Sequence, residues 1–317
     1  MKNNKLFKNL FGLSIIAAMG FFFSSCGDDD TPPAPTIKLY VEVDGFTANI
    51  AAKAENVTSW HWDYGDGTTS DSIGGHTHTY AEGGDYTITC TVHGDGGEAT
   101  DTWDVNIATI EELLTGGSSK TWVLSRTAGN IDGVSYRVNS NFTLDMPTAG
   151  SDVLAIVGLE EEYDNEFTFN SDGSYSLNFG VGGSVLAGWV YSSREHADNI
   201  VKTTGYGIYS LKVPVPEKAT WSLHKNTDLT VNAVYDKDQD NSGGVEETVV
   251  FESVNYITFE GDGFIGMKDY NSYAIVRNVS KESLTVTIFW SSYYDNEDLG
   301  IYNLPSMMLT LTLVPKN

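Results

Sequence analysis

The chain has 317 residues, with 43 acidic and 18 basic side chains and a formal net charge of -25 at pH 7. This length is enough for two ordinary domains. So acidic a surface repels phosphate backbones, which excludes nucleic acid and makes acidic polysaccharides poor ligands unless a local basic patch exists. Neutral glycans, peptides or cations remain as partners. With only two cysteines, a disulfide framework is also excluded, so stability must come from packed cores.

The first 25 residues have the pattern of an export signal peptide. Three lysines precede an apolar run over residues 10–23, which is too short to span a bilayer comfortably. Residues 23–26 read FSSC and resemble a bacterial lipobox, which implies cleavage before Cys26 and lipidation of that cysteine. The alternative is ordinary cleavage after Ser25, which leaves Cys26 as a free thiol. Several acyl chains on Cys26 imply stable membrane anchoring.

The stretch that follows predicts a flexible tether over residues 26–36, since it contains three prolines and almost nothing apolar. Its aspartates at 28–30 resemble the export tag that directs lipoproteins to the outer face of the outer membrane in Gram-negative glycan-degrading bacteria. The resemblance implies a lipoprotein on the cell surface whose lipid anchor is its only membrane contact.

Residues 37–108 show short runs in which every second residue is apolar, which predicts a small antiparallel β-sandwich. Asp66-Gly67 predicts a tight turn between two of its strands. Three ordered motifs lie here: WDYGDG at 62–67, THTY at 77–80 and YTITCTV at 86–92. Together they resemble the PKD domain, an immunoglobulin-like module of extracellular bacterial proteins. The resemblance implies a spacer or protein contact and supplies no activity by itself.

Several side chains in this module are candidates for metal binding or catalysis. Asp63 and Asp66 have the positions of turn-capping residues, which we favour over paired catalytic carboxylates or calcium ligands. Cys90 falls on an apolar position, which predicts a core side chain. The module also has four histidines, and their spacing does not match a compact zinc site. We therefore favour structural hydrogen bonds over zinc binding for His61, His76, His78 and His93.

Residues 109–117 have the pattern of a helix. Thr109 and Glu112 have the spacing of a capping box, two leucines follow, and Gly116 is placed to end a helix. We therefore predict a helical linker over residues 109–117. Residues 118–317 show many short alternating segments separated by turns, which predicts a larger antiparallel β-sandwich, with a jelly roll or a lipocalin-like barrel as the alternatives.

Parts of the larger domain resemble the C-terminal domain that follows PKD domains in surface lipoproteins of polysaccharide-utilisation systems. The similar segments are residues 114–122, 163–169, 263–266 and 311–315, whereas residues 125–160 and 178–220 have no counterpart. The resemblance implies a non-catalytic protein that binds a polysaccharide or oligosaccharide outside the cell. Its implied partners are an outer-membrane glycan importer and surface glycosidases.

Stacking of a pyranose ring requires aromatic side chains outside the core, with polar groups at the rim. Trp290 ends an apolar alternating run, and Tyr293 and Tyr294 follow it in a polar loop, so these three are the first candidates. Trp290 also continues the face of Leu284, Val286 and Ile288, and a core position is its alternative. Trp189 and Tyr191 are predicted to share one strand face. Further candidates are Tyr206, Tyr209, Tyr270 and Tyr273.

Residues 236–247 follow the spacing of a calcium loop, with oxygen ligands predicted at Asp236, Asp238, Asp240, Ser242 and Glu247. The pattern departs from a calcium loop at Asn241, where glycine is expected, and at Gly243, where an apolar residue is expected. The alternative is an acidic, solvated hairpin loop, in which case no cofactor is required.

Acids at residues 160–166 supply carboxylates, but no second carboxylate motif and no nucleophile elbow accompany them. The sequence therefore predicts a protein that is not an enzyme. A glycan-binding surface lipoprotein for a neutral polysaccharide is the leading interpretation, and a structural or adhesive surface protein with a protein partner is the alternative.

Overall fold

The computed structural model of the protein describes residues 31–147, 149–236, 244–292 and 300–316. The described chain is nearly all β, and the predicted fold class is confirmed. No helix in these ranges is long and apolar enough to cross a membrane.

The N-terminal module has seven strands in two antiparallel sheets. The first sheet has the order β1-β2-β5 and the second has the order β4-β3-β6-β7. Apolar side chains of both sheets meet in one core, including Leu39, Trp62, Ile88 and Cys90. The strands are β1 (Thr36–Asp44), β2 (Thr47–Glu55), β3 (Ser59–Asp63), β4 (Thr69–Ser70), β5 (His76–Thr79), β6 (Gly84–Gly94) and β7 (Gly97–Ile107).

The turn after β3 is built as the sequence predicts. Asp63 Oδ1 accepts from the Gly65 amide at 2.8 Å, and Asp66 Oδ1 accepts from the Thr68 amide at 2.9 Å. Gly65 has a φ of 80°, and a Cβ there would lie 2.8 Å from the Thr87 carbonyl oxygen. Both aspartates therefore cap the turn, and glycine is required between them.

Helix α1 (Ile110–Thr115) joins the module to the larger domain, and its capping box is confirmed. The Thr109 side chain accepts from the Glu112 amide, the Glu112 side chain accepts from the Thr109 amide, and Gly116 ends the helix with a φ of 61°. Leu113 and Leu114 are buried in the core of the larger domain. The linker helix is therefore part of that domain's packing.

The larger domain is built on eight antiparallel strands that follow one another in chain order. Each pairs with the next, and the last also pairs with the first, so the sheet closes on itself. This closure corresponds to the barrel alternative for this domain. The strands are β8 (Ser119–Leu124), β11 (Asn165–Asn170), β12 (Ser174–Phe179), β16 (Ala219–Asp236), β17 (Gly244–Glu260), β18 (Tyr273–Val279), β19 (Leu284–Trp290) and β20 (Met307–Pro315).

Short elements lie in the connections between these strands. Strands β9 and β10 extend the sheet beside β20, and β13, β15 and β14 form a separate three-stranded sheet. Two 3-10 helices span Glu160–Asp164 and Ala197–Asn199. The remaining elements are β9 (Gly133–Ser135), β10 (Met146–Pro147), α2 (Val153–Val157), β13 (Val185–Gly188), α3 (Trp189–Glu195), β14 (Ile200–Lys202) and β15 (Ile208–Leu211).

Because consecutive strands are antiparallel, alternate connections lie at opposite ends of the barrel. Four long connections, which follow β8, β12, β17 and β19, begin and end at one end of the barrel, which we call the loop end; their described residues are 125–147, 149–164, 180–218, 261–272, 291–292 and 300–306. Helix α1 covers the other end, where the Trp122 indole Nε1 donates to the Leu114 carbonyl oxygen at 2.9 Å. The long connections are therefore gathered at one end of the barrel, an arrangement typical of binding sites.

The hairpin of β16 and β17 is longer than the barrel and bends over its outer face. Its pairing is irregular between His224 and Leu229, and Asn226 and Ser253 both have a φ of 48°. Beyond the bend, its apolar side chains pack on Phe289 and other outward-facing residues of the barrel. Strand β19 is consequently buried on both faces.

Candidate functional site

A groove of about 600 Å³ lies at the loop end. One wall is Tyr191 of α3 with His196, which follows the helix, and the other walls are residues 213–218 and the loop at 261–268. Two aromatic residues, an imidazole, two carboxylates and two ammonium groups line it together with proline and valine. This mixture of apolar faces and a few polar groups is typical of small-ligand sites.

Helix α3 positions Tyr191, so the prediction that Trp189 and Tyr191 share a strand face is wrong. The chain leaves β13 at Gly188, the Trp189 amide donates to the Gly207 carbonyl oxygen at 3.0 Å, and the Ser192 hydroxyl donates to the Gly188 carbonyl oxygen at 2.9 Å. At about 100° per residue, helical geometry turns Trp189 and Tyr191 to different sides. The aromatic and β-branched sequence favours a strand locally, and tertiary contacts override that preference.

Three half-buried tyrosines, which we call the tyrosine ladder, stand beside the groove. The rings of Tyr191 and Tyr270 meet edge to face with centroids 5.1 Å apart, and those of Tyr270 and Tyr302 do so at 5.8 Å. Edge-to-face pairs of this kind stabilise by about 0.5–1.5 kcal/mol each. The ladder therefore fixes the orientation of the Tyr191 ring at the groove.

Three consecutive residues at the end of α3 each hold one ring of the ladder. The Arg194 guanidinium lies over the Tyr302 ring, 4.0 Å from its centroid. Glu195 Oε1 accepts from the Tyr270 hydroxyl at 3.2 Å, and His196 Nε2 lies 3.0 Å from the Tyr191 hydroxyl. The aromatic surface is thus held in place before any ligand arrives, which reduces the entropy cost of binding.

Burial shifts the pKa of several groups around the groove. Desolvation raises the pKa of Tyr191 to about 12, with contributions from the charges of Asp262, Asp269 and Glu195. Desolvation also lowers the pKa of Lys268, which nearby carboxylates oppose. At neutral pH the tyrosine hydroxyl therefore remains a hydrogen-bond donor.

Asp269 is a buried carboxyl group near the groove whose pKa is strongly raised. It is 5% exposed, and burial raises its pKa to about 7, against the opposing effects of two backbone hydrogen bonds and Lys268. Its Oδ1 accepts from the amides of Tyr270 at 2.8 Å and Ser291 at 3.2 Å, while its Oδ2 has no hydrogen-bond partner among the described residues. Asp269 thus ties the ladder residue Tyr270 to the end of β19.

Trp290 is 2% exposed and belongs to the barrel core, so its prediction as a stacking platform is wrong. Its side chain follows those of Val286 and Ile288 into the interior, the core alternative that its apolar alternation allowed. Gly207 lies against both Trp290 and the half-buried Trp189, since a Cβ there would come within 3.4 Å of each ring. Tyr293 and Tyr294 lie outside the described residues.

Only the ends of the predicted calcium loop fall within the described residues. Asp236 pairs with Gly244 in the hairpin register, and Asp238, Asp240 and Ser242 lie outside the described residues. Glu247 is on β17, where its carboxylate accepts from the Arg137 guanidinium at both oxygens. Both oxygens of Glu247 face a guanidinium in this ion pair, an arrangement that does not fit the predicted role of Glu247 as a calcium ligand.

Other titratable side chains are engaged within the fold. The His78 ring lies 2.7 Å from Asp66 Oδ2, and the His76 ring lies 2.6 Å from the Tyr64 hydroxyl. Cys90 is buried, as predicted, and burial raises the pKa of its thiol to about 12. Glu162, from the acidic run at 160–166, is buried and accepts from Asn165, Ser184 and Ser210. Within the described ranges, no three His, Cys, Asp or Glu side chains converge on a metal-sized site.

Sequence reasoning missed most of the site. Tyr191 and Tyr270 were candidates, but Tyr302 and the polar residues that hold the ladder were not. These residues come from three connections that are distant in sequence, and no local periodicity links them. The signal that was present is indirect: residues 178–220, which have no counterpart in the resemblance, contain α3 and two of the three groove walls.

Two packed antiparallel sheets with a shared core define residues 36–107 as an immunoglobulin-like sandwich. Residues 38–109 match the PKD domain family, which confirms the resemblance for this module. A comparison with curated proteins gave no match.

Solved structures similar to the chain include two PKD1 domains. That of the Vibrio cholerae metalloprotease PrtV is 28% identical, with 24% of this chain and 100% of that chain covered. That of Vibrio anguillarum Epp is 24% identical, with 24% and 96% covered. A carbohydrate-binding module of the β-sandwich superfamily is 12% identical, with 90% and 93% covered. Each has a TM-score of 0.23, and overlays at this score carry no argument about function.

Proposed function

We propose that this protein binds a glycan at the cell surface without cleaving it. The supporting observation is the groove at the loop end, where Tyr191, fixed by the tyrosine ladder, lies beside His196, Asp262 and Lys268. A pyranose presents a face of C–H groups to an aromatic ring and hydroxyls to polar groups at the rim. The groove offers both kinds of contact within one space.

Each group that lines the groove has a role in glycan binding. The Tyr191 ring stacks on a sugar face, and imidazole, carboxylate and ammonium groups donate to or accept from its hydroxyls. Export and lipidation at Cys26 place the chain on the outer membrane facing outward, with the PKD domain between the anchor and the barrel. Bound polysaccharide is then concentrated near surface glycosidases and a glycan importer, the partners that the sequence resemblance implies.

Affinity gel electrophoresis tests the binding directly. Gels containing one of a panel of neutral and acidic polysaccharides should retard the purified protein, and Tyr191→Ala should reduce the affinity about tenfold or more, the loss expected when a buried aromatic contact is removed. Tyr40→Ala is the matched control, since Tyr40 is an exposed tyrosine of the PKD domain. If no polysaccharide retards the protein, or if both substitutions act equally, the glycan-binding proposal fails.

Localisation has its own test. A Cys26→Ala protein expressed in a Gram-negative host should lose surface display, measured by protease accessibility on intact cells, and should be recovered in soluble form. Display equal to that of the parent protein would contradict lipid anchoring through Cys26.

A further inference from the structure

The contacts of Lys268 in the groove wall indicate which chemical group a ligand would place there. Its backbone is fixed against β13, because its amide donates to the Leu186 carbonyl oxygen at 2.7 Å and its carbonyl oxygen accepts from the Gly188 amide at 3.2 Å. Its Nζ lies 5.5 Å from the centroid of the Phe264 ring and donates to the Asp262 carbonyl oxygen at 3.2 Å. The ammonium group is therefore held at the groove wall.

This ammonium group has no ion-pair partner in the described part of the chain. No carboxylate oxygen there lies within 4.0 Å of Lys268 Nζ. Lys268 is half-buried, so its charge is also partly removed from water. A cation with one backbone acceptor and unused donors gains most from an anionic oxygen placed in the groove, since charge-assisted hydrogen bonds are the strong ones.

The charges lining the groove also differ from those of the whole chain. Glu217 and Asp262 are balanced there by Lys218 and Lys268, while the chain as a whole has 43 acidic against 18 basic residues. Charges beyond about 10 Å are largely screened at 0.1 M salt. A single acidic group can therefore reach Lys268, although a densely charged polyanion is repelled by the rest of the surface.

We propose that the glycan bound in the groove carries an anionic substituent, a carboxylate or a sulfate ester, on the sugar unit that reaches Lys268. This inference rests on the proposed glycan binding and adds the chemical class of the ligand. The ligand is a mainly neutral chain with spaced acidic groups, which satisfies both the local cation and the acidic surface around it.

The test compares each polysaccharide with a copy that lacks its charge. Glucuronoxylan, a highly methyl-esterified pectin and a sparsely sulfated galactan are each cast in affinity gels beside the carboxyl-reduced or desulfated form of the same polymer. The protein should be retarded by at least one charged polymer and about tenfold less by its uncharged copy. Whether the responsive polymer is a uronate or a sulfate ester identifies the anionic group.

Lys268→Met should abolish the difference between the charged and uncharged copies, and Lys268→Arg should retain part of it. The matched control is Lys53→Met, which makes the same change in net charge at an exposed position of the PKD domain and should preserve the difference. Retardation of the parent should also weaken with salt for the charged polymer only.

The outcomes separate the two proposals. Equal retardation by charged and uncharged copies overturns the anionic ligand while glycan binding stands, and so does a difference that Lys268→Met leaves intact. Absence of retardation by every polymer overturns both. The comparison of polymer copies uses the parent protein alone, so a folding defect in a variant does not affect it.

Discussion

The raised pKa of Asp269 predicts a pH dependence of stability that one substitution should remove. An aspartate has a pKa of 3.8 in the unfolded chain, and burial in the folded protein raises it to about 7. Between these values the folded state binds a proton that the unfolded state has released. The free energy of unfolding must therefore fall as pH rises through this window. The contribution of Asp269 is fully present below pH 3.8 and is lost as pH approaches 7.

The size of this effect follows from the shift. Roughly three pKa units at 1.36 kcal/mol each correspond to a loss of about 4 kcal/mol between pH 4 and pH 7. Asp269 is almost completely buried, so solvent screening reduces this figure little. Asp269→Asn keeps an oxygen that can accept from the Tyr270 and Ser291 amides and carries no charge. The variant should therefore become more stable relative to the parent protein by about 4 kcal/mol as pH rises from 4 to 8.

Urea unfolding at half-unit pH intervals, followed by tryptophan fluorescence and circular dichroism, measures this difference. Taking the difference between the two proteins cancels the titration of all other groups. Asp262→Asn is the matched control, because it makes the same change in charge at an exposed position of the same loop. A difference for Asp269→Asn that stays flat to within about 1 kcal/mol would refute the reasoning.

Three further predictions concern the N-cap of α1, the start of α3 and the hairpin of β16 and β17. Thr109→Ala removes the capping box of α1 and should lower the free energy of unfolding by about 1 kcal/mol in urea denaturation, whereas no change would mean the cap is not formed. Gly188→Ala places a Cβ 2.1 Å from Asp269 Oδ2 and should cost about 1–3 kcal/mol, relieved by a second change of Asp269 to Ala. Because Glu247 is bound to Arg137, millimolar calcium should leave the melting temperature of the protein unchanged, and a rise that a chelator reverses would restore the calcium loop.

The features predicted well from sequence are those that depend on neighbouring residues. The α1 capping box needs only Thr109, Glu112 and the helical period, and the Asp66 turn needs only two side-chain hydrogen bonds to nearby amides. The PKD sandwich has an alternating pattern with one solvated face, so its strands could be placed with similar ease. The capping box and the turn are each complete within a few residues of chain.

Features that depend on tertiary contacts could not be placed in this way. On β19, alternation correctly puts Trp290 on the face of Ile288, yet nothing local shows that Gly188 and Gly207, which are distant in sequence, lie against its ring. At Trp189 and Tyr191 the residue types favour a strand, while the helix is imposed by contacts of Gly188 and Gly207 with distant segments. Local preference decides secondary structure only where tertiary packing agrees with it.

Helix α1 and the groove lie at opposite ends of the barrel. The chain enters the barrel through α1 at the end opposite the groove. Near this point, one polar contact joins β16 to α1 and another joins β16 to the PKD domain. Lys225 Nζ lies 3.3 Å from Glu111 Oε1, and Asn226 Nδ2 donates to Glu82 Oε1 at 3.1 Å. A chain anchored through Cys26 would therefore present the loop end away from the membrane, where a polysaccharide too large to approach the bilayer can still enter the groove.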